Sequence, residues 1–225
     1  MTKILTMERK EFYRTSLPHF QQPGQAYFVT WCLKDAVPPK ALDKYTTELE
    51  LLKERLKQAK KEKIDENELS LLEWDYNLMR KKYFKALEDV LHLNTKQIVN
   101  LNKPENEMIM RDALFCFEGV KIKNYAFCIM CNHVHWVFRT FEKDVNGKPV
   151  YLQDIMHSIK SFTANEINKL ENRSGALWFP DKFDTTIRNR KHWHNAIEYT
   201  INNPVKAGLV EKAEDWSGSW WFDRE

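Results

Sequence analysis

Residues 125–138 read Tyr125-Ala-Phe-Cys-Ile-Met-Cys-Asn-His-Val-His-Trp-Val-Phe138. β-Branched and aromatic residues dominate this run, so it predicts two strands that meet near Asn132. Alternate side chains of a strand share a face, which sets His133 and His135 side by side inside an otherwise apolar stretch. Two neutral imidazoles on one face can hold a divalent metal and leave positions open for substrate. The plainer alternative is a pair of polar residues on the wet side of an amphipathic strand. The rest of the chain decides between them.

Outward from this run, Tyr27-Phe-Val-Thr-Trp-Cys-Leu33 is a strand by its β-formers, and Pro38-Pro39 interrupts the pattern after it. Pro104 opens a helix that reaches Phe117. Leu152, Ile155, Met156, Ile159, Thr163, Ile167 and Leu170 mark the inner face of a helix over 151–170. Gly175-Ala-Leu-Trp178 is a loop or short strand. A last helix, about Arg190 to Asn202, is stopped by Pro204. The order predicts an α+β domain: a mostly antiparallel central sheet with helices packed on it.

Between the first strand and the Pro104 helix the composition changes. Leu49, Leu52, Leu56 and Ala59 recur at helical spacing, and Leu72, Tyr76, Met79, Tyr83, Ala86 and Val90 form a heptad seam. With a turn at Ile64-Asp-Glu-Asn67, residues 43–93 read as an inserted helical hairpin projecting from a single domain over 1–225. The seam is read as packing within the hairpin rather than as a dimer interface. The chain is expected to be a monomer or homodimer.

The bulk composition sets bounds. A chain of 225 residues with 43% hydrophobic content can bury a core. A net charge of +3 permits a nucleic-acid partner without requiring one. Eight tryptophans offer faces on which unpaired bases can stack. No apolar run approaches the roughly 18 residues of a membrane span, and no Gly-rich phosphate loop is present. Cys128 and Cys131 form a C-x-x-C, but i and i+3 on a strand face opposite sides, which argues against zinc. The length and the lack of a secretory signal suggest a reducing cytosol.

The last helix offers a candidate nucleophile in Tyr199, whose plainer reading alone is a surface tyrosine. Trp193, Ala196, Ile197 and Thr200 point inward, while His192, Asn195, Tyr199 and Asn203 form a polar stripe. A metal on the His pair would polarise a phosphate. The Tyr199 hydroxyl would attack phosphorus and form a phosphotyrosine link. Asn203, one turn on, would be a third, oxygen ligand.

The motifs Leu17-Pro-His19, Tyr27-Phe-Val-Thr30, Asn132-His-Val-His135, Lys160-Ser-Phe-Thr-Ala164, Asn168-Lys169, Leu177-Trp178, Phe183-Asp184 and Ile187-Arg-Asn189 occur in that order. Tyr199-Thr-Ile-Asn-Asn-Pro-Val-Lys-Ala-Gly-Leu-Val210 completes the series. In these the chain resembles single-tyrosine transposases with a His-hydrophobic-His motif, and more closely the REP-associated tyrosine transposases. The resemblance implies a HUH nuclease fold (ferredoxin-like or RRM-like). It implies His133 and His135 as metal ligands, Tyr199 as nucleophile, and Asn203 where insertion-sequence relatives carry a Gln ligand. It further implies Mg²⁺ or Mn²⁺, single-stranded DNA with short hairpins beside the cleavage point, and work in the bacterial cytoplasm on nucleoid DNA. Met130-Cys131 stands where relatives often have Met-Pro, and the helical insertion is longer than usual. Arg188 foremost, with Lys160, Arg190 and Lys206, is expected to contact phosphates. The alternative is a catalytically silent or domesticated nucleic-acid-binding protein that kept the fold; intact His133, His135 and Tyr199 argue against it. A structural scaffold built on the hairpin would leave the His pair unexplained.

Overall fold

The computed structural model describes residues 22–93, 97–180 and 182–222 fully, and two short strands before them by their backbone. Those strands, β1 (Phe12–Arg14) and β2 (Pro18–Phe20), pair antiparallel. The rest of the arm, including Arg9 and Lys10, lies outside the described residues.

A five-stranded sheet organises the chain. It comprises β3 (Ala26–Cys32), β4 (Ile122–Ile129), β5 (His133–Thr140), β6 (Phe183–Thr186) and β7 (Ser219–Trp221). Their order is β6-β3-β5-β4-β7, antiparallel at every pairing. β4 and β5 meet at a tight turn over Met130–Asn132, closed by Met130 N–H donating to His133 O at 2.9 Å. This is the expected α+β architecture, a central antiparallel sheet flanked by helices. Sequence reading did not place the edge strands β6 and β7, because four and three residues are too few to display a period of two.

The helices are α1 (Asp43–Glu62), α2 (Glu66–Leu93), α3 (Pro104–Phe115), α4 (Leu152–Leu170), α5 (Arg190–Ile201) and the single turn α6 (Asn203–Lys206). Strand alternation divides the core in two. On one face Val29, Trp31, Phe127, Trp136 and Phe138 pack with Met110 and Leu114 of α3 and Ile155 and Ile159 of α4. On the other, Phe28, Ala126 and Val137 pack with Ala196 of α5. Among the described residues, no helix is long and apolar enough to cross a membrane.

The structure differs from the sequence expectation in how residues 43–93 sit. α2 does not stand off the sheet. Tyr76, Met79, Tyr83, Leu87 and Leu91 are buried in the larger core, and Phe84 packs against the smaller one. Asn132 Nδ2 donates to Leu91 O at 2.8 Å, and Arg80 Nη2 donates to Asp184 O at 2.7 Å. The heptad reading missed this because the buried stripe shifts near the C-terminal end of α2, from Ala86 and Val90 to Leu87 and Leu91. Five large buried side chains at about 1.5–3 kcal/mol each rival the whole stability of a domain. Replacing 43–93 with a Gly/Ser linker should therefore yield unfolded protein by circular dichroism. Replacing only 51–72, mostly exposed, should leave a cooperative unfolding transition; loss of that transition would place the hairpin tip in the folding core as well.

Candidate active site

β5 register sets the histidine pair. His135 lies opposite Thr30 of β3 and Cys128 of β4, and His133 lies opposite Cys32. Both imidazoles are buried, at 1% and 0% exposure. His133 Nδ1 meets Asn132 Oδ1 at 2.7 Å. The Asn132 amide nitrogen is committed to Leu91 O, so its oxygen must face the ring, and His133 carries its proton on Nδ1. His135 Nδ1 meets Thr30 Oγ1, also at 2.7 Å. The two Nε2 atoms face one another at 3.1 Å. Two nitrogens each about 2.1 Å from one tetrahedral ion would lie about 3.4 Å apart, so the observed spacing is within a few tenths of an ångström of a shared-ligand geometry. Desolvation pushes His133 down to about 3, with nearby His92 adding to the effect. Desolvation, then His133, holds His135 well below its ordinary value. Neutral imidazoles are what a metal site needs.

Tyr199 of α5 reaches the same face. Its ring lies edge-on to His135, with centroids 5.4 Å apart, and edge-on to Phe28 at 5.7 Å. The sequence expectation of a tyrosine standing on a polar stripe needs correcting here. The phenol is half-buried between aromatic rings, while Asn195 of that stripe is exposed. Its hydroxyl donates to Glu88 Oε2. Burial first, and then the Glu88 charge, hold the phenol well above its ordinary value. Asn203 is fully buried; its Nδ2 donates to Glu88 Oε2 at 3.4 Å, and its Oδ1 lies 3.4 Å from His92 Nε2. Lys206 of α6 sets its ammonium 4.2 Å above the centre of the Tyr199 ring.

Sequence reading missed Glu88 and His92. Both come from α2, where Glu88 falls between heptad positions and reads as solvated surface. Their i, i+4 spacing, which puts two donors on one helix face, was the available signal. Glu88 is only 6% exposed, and its Oε2 also lies 3.6 Å from His135 Nε2. Desolvation raises its carboxyl to about 7, against lowering hydrogen bonds from Tyr199 and Asn203. Glu88, His92 and His133 offer ligand atoms within 4.8 Å of one another, an arrangement that fits a divalent metal. Glu88 Oε1 is buried and has no hydrogen-bond partner among the described residues. Such an atom carries an unmet desolvation cost that a cation would relieve.

The expected phosphate-binding residues divide. Lys206 stands beside Tyr199. Arg188 is exposed between β6 and α5, and Arg190 is exposed in the first turn of α5, its Nε donating to His194 Nε2 at 3.3 Å. Lys160 is elsewhere. It belongs to α4 on the opposite face of the sheet, and its Nζ donates to Phe179 O at 2.9 Å. The structure gives it a fold-holding contact.

The buried histidines predict an acid response of the metal-free protein. In the unfolded chain both titrate near 6.5, whereas the folded site keeps them neutral to lower pH. The unfolded state then binds more protons, so their contribution to stability is lost as pH falls below about 6.5. Glu88 acts oppositely: its folded carboxyl protonates near 7 and its unfolded one near 4.5, so it adds stability as pH falls between those values. Two groups outweigh one. Calorimetry in EDTA should show the unfolding temperature dropping between pH 6.5 and 5, less steeply in a His133→Gln/His135→Gln variant. An equal slope in the two proteins would contradict the neutral buried pair.

No family model matches the chain. Over 106 residues it is 26% identical to the Haemophilus influenzae protein named "Putative REP-associated tyrosine transposase", an alignment covering 44% of this chain and 58% of that protein. The chain thus spans somewhat over half the length of that curated relative. Its fold is similar to a solved structure of a REP-associated tyrosine transposase bound to a REP hairpin, with a TM-score of 0.50 and 16% identity over 92% of this chain and 80% of that one. The sequence relative bears the name of the family that the motifs resemble, and the solved structure shares the fold.

Proposed function

We propose that the protein is a transposase-like, metal-dependent endonuclease and strand transferase for single-stranded DNA, acting beside short hairpins through a 5′-phosphotyrosine intermediate at Tyr199. The observation that carries this reading is the convergence, on one buried patch, of a phenol hydroxyl, a carboxylate and the paired imidazoles. The relatives' names support the substrate class. Lys206 sets a cation over the Tyr199 ring, where it can meet a phosphodiester.

Each side chain has a task. His133 and His135, oriented by Asn132 and Thr30, would hold a divalent cation, with Glu88, His92 and Asn203 as the available completing ligands. Bound Mg²⁺ or Mn²⁺ supplies positive charge that polarises the phosphodiester and lowers the cost of a phenolate. Tyr199 Oη is the nucleophile, and Glu88 Oε2 receives its proton across their hydrogen bond. The Oη–P bond forms as the bond from phosphorus to the 3′ oxygen breaks, leaving the 5′ phosphate on the enzyme. Phe28, Phe84 and His135 hold the ring in place for attack. Lys206, Arg188 and Arg190 neutralise backbone phosphates.

A denaturing gel tests the reading. Hairpin DNA pools with single-stranded tails, incubated with the chain and Mn²⁺ or Mg²⁺, should give a covalent protein–DNA band that EDTA suppresses. DNA bound under native conditions with no covalent band in either metal would establish the silent-binder alternative instead.

A further inference from the structure

Among the described residues, none covers the outer face of α2. Leu71, Trp74 and Leu78 are 60%, 59% and 36% exposed, a size and polarity that ordinary surface helices do not present in a row. Toward the sheet the same face turns basic, with Lys81, Lys82 and Lys85 all exposed. Neither Lys81 nor Lys85 makes an ion pair or hydrogen bond among the described residues. Asp89, one turn beyond Lys85, is the exposed carboxylate at that end of the face.

Helical spacing ties this face to the site. Trp74, Lys81 and Glu88 stand at i, i+7 and i+14, so they project along one line of the helix, and Lys85 lies one turn before Glu88. Glu88 itself accepts the Tyr199 hydroxyl. Trp74 therefore lies about 21 Å from Glu88 along the axis, with the lysines between them.

We infer that this face is a nucleic-acid track, receiving the single-stranded part of the substrate on its way to Tyr199. Lys81 and Lys85 contact successive phosphates, and the exposed Trp74 indole stacks on an unpaired base. The inference rests on the nuclease reading above and adds a surface to it. Charge selects the occupant: three exposed lysines beside an apolar stripe suit a polyanion with flat bases. A second copy of this chain would bring the same three cations against themselves if the faces met in parallel register.

The test uses the full chain carrying Tyr199→Phe, so that binding is read without turnover. The probe is a fluorescein-labelled DNA hairpin with an oligothymidine tail, followed by anisotropy across a salt series. Trp74→Ala should weaken binding roughly 5- to 100-fold, the range of one lost base stack. Lys81→Gln/Lys85→Gln should weaken it and reduce the slope of log affinity against log salt by about 1.4, the share of two single-strand phosphates. Lys57→Gln/Lys61→Gln on α1, with the same charge removed, should leave the slope unchanged. Unaltered affinity and slope in the α2 variants, with the parent protein binding normally, would overturn the track while leaving the nuclease reading intact. Sedimentation supplies the other arm. A parent dimer that becomes monomeric in Trp74→Ala without loss of DNA affinity would assign the face to a second copy. A parent that binds no probe at low salt would remove both readings together.

Discussion

Tyr199→Phe protein, mixed with tailed hairpin DNA and Mn²⁺, should give no covalent band where the unaltered chain gives one. The substitution removes one oxygen. The ring keeps its contacts with Phe28, Phe84 and His135, and Lys206 keeps its place above it. DNA affinity, which comes chiefly from phosphate contacts, should change little. Glu88 loses a hydrogen-bond donor, so the fold should weaken by about 1–3 kcal/mol, well short of unfolding. Peptide mapping of the adduct from the unaltered chain should find the nucleotide on the segment containing Tyr199. Tyr125 and Tyr151 serve as internal controls. Tyr125 packs edge-on to Trp193 and Tyr151 is 5% exposed before α4, so packing accounts for both. Adduct on either of them, or persistent adduct in Tyr199→Phe, would refute the assignment.

The second large effect is on cation binding. Glu88→Gln keeps the volume of the side chain and an oxygen able to accept from Tyr199 while removing the charge. Titration calorimetry with Mn²⁺ should show affinity falling more than about 100-fold, above the range seen when only a ligand's supporting contact is lost. His133→Ala should do the same, and so should His135→Ala. Asn132→Ala, which frees the His133 ring to reorient, should cost about 10- to 100-fold. His92→Ala and Asn203→Ala then distinguish the completing ligand. The larger loss identifies it, since the two side chains compete for the same corner of the patch at 3.4 Å. Equal Mn²⁺ affinity in Glu88→Gln and the parent would exclude α2 from the metal site.

Much of the site was legible because its signal is local. A period of two put His133 and His135 on one face of β5, whereas α5 ends at Ile201 and Asn203 opens α6, so helical spacing alone did not place Asn203. The α+β class followed from the alternation of β-rich runs and amphipathic segments. These readings need only neighbours within about a dozen residues, and backbone geometry supplies the rest. Lys160, by contrast, fits a basic motif in the sequence, yet α4 packs on the other face of the sheet, and nothing local encodes which face a helix covers.

Tertiary structure decided what touches Tyr199. Glu88 is 111 residues away in the chain, and its partner is fixed by how α2 lies against the sheet. That placement follows from burial of Tyr83, Leu87 and Leu91 and from two hydrogen bonds to carbonyls, Asn132 to Leu91 and Arg80 to Asp184. A heptad pattern shows that α2 has an apolar side but not what covers it, and Glu88 lies off the heptad positions. The sequence by itself determined the paired imidazoles and the helix bearing the phenol, since strand and helix periodicity are properties of the local backbone. Only the folded chain could bring the carboxylate to them, because long-range packing depends on the summed shape and burial of segments far apart in sequence.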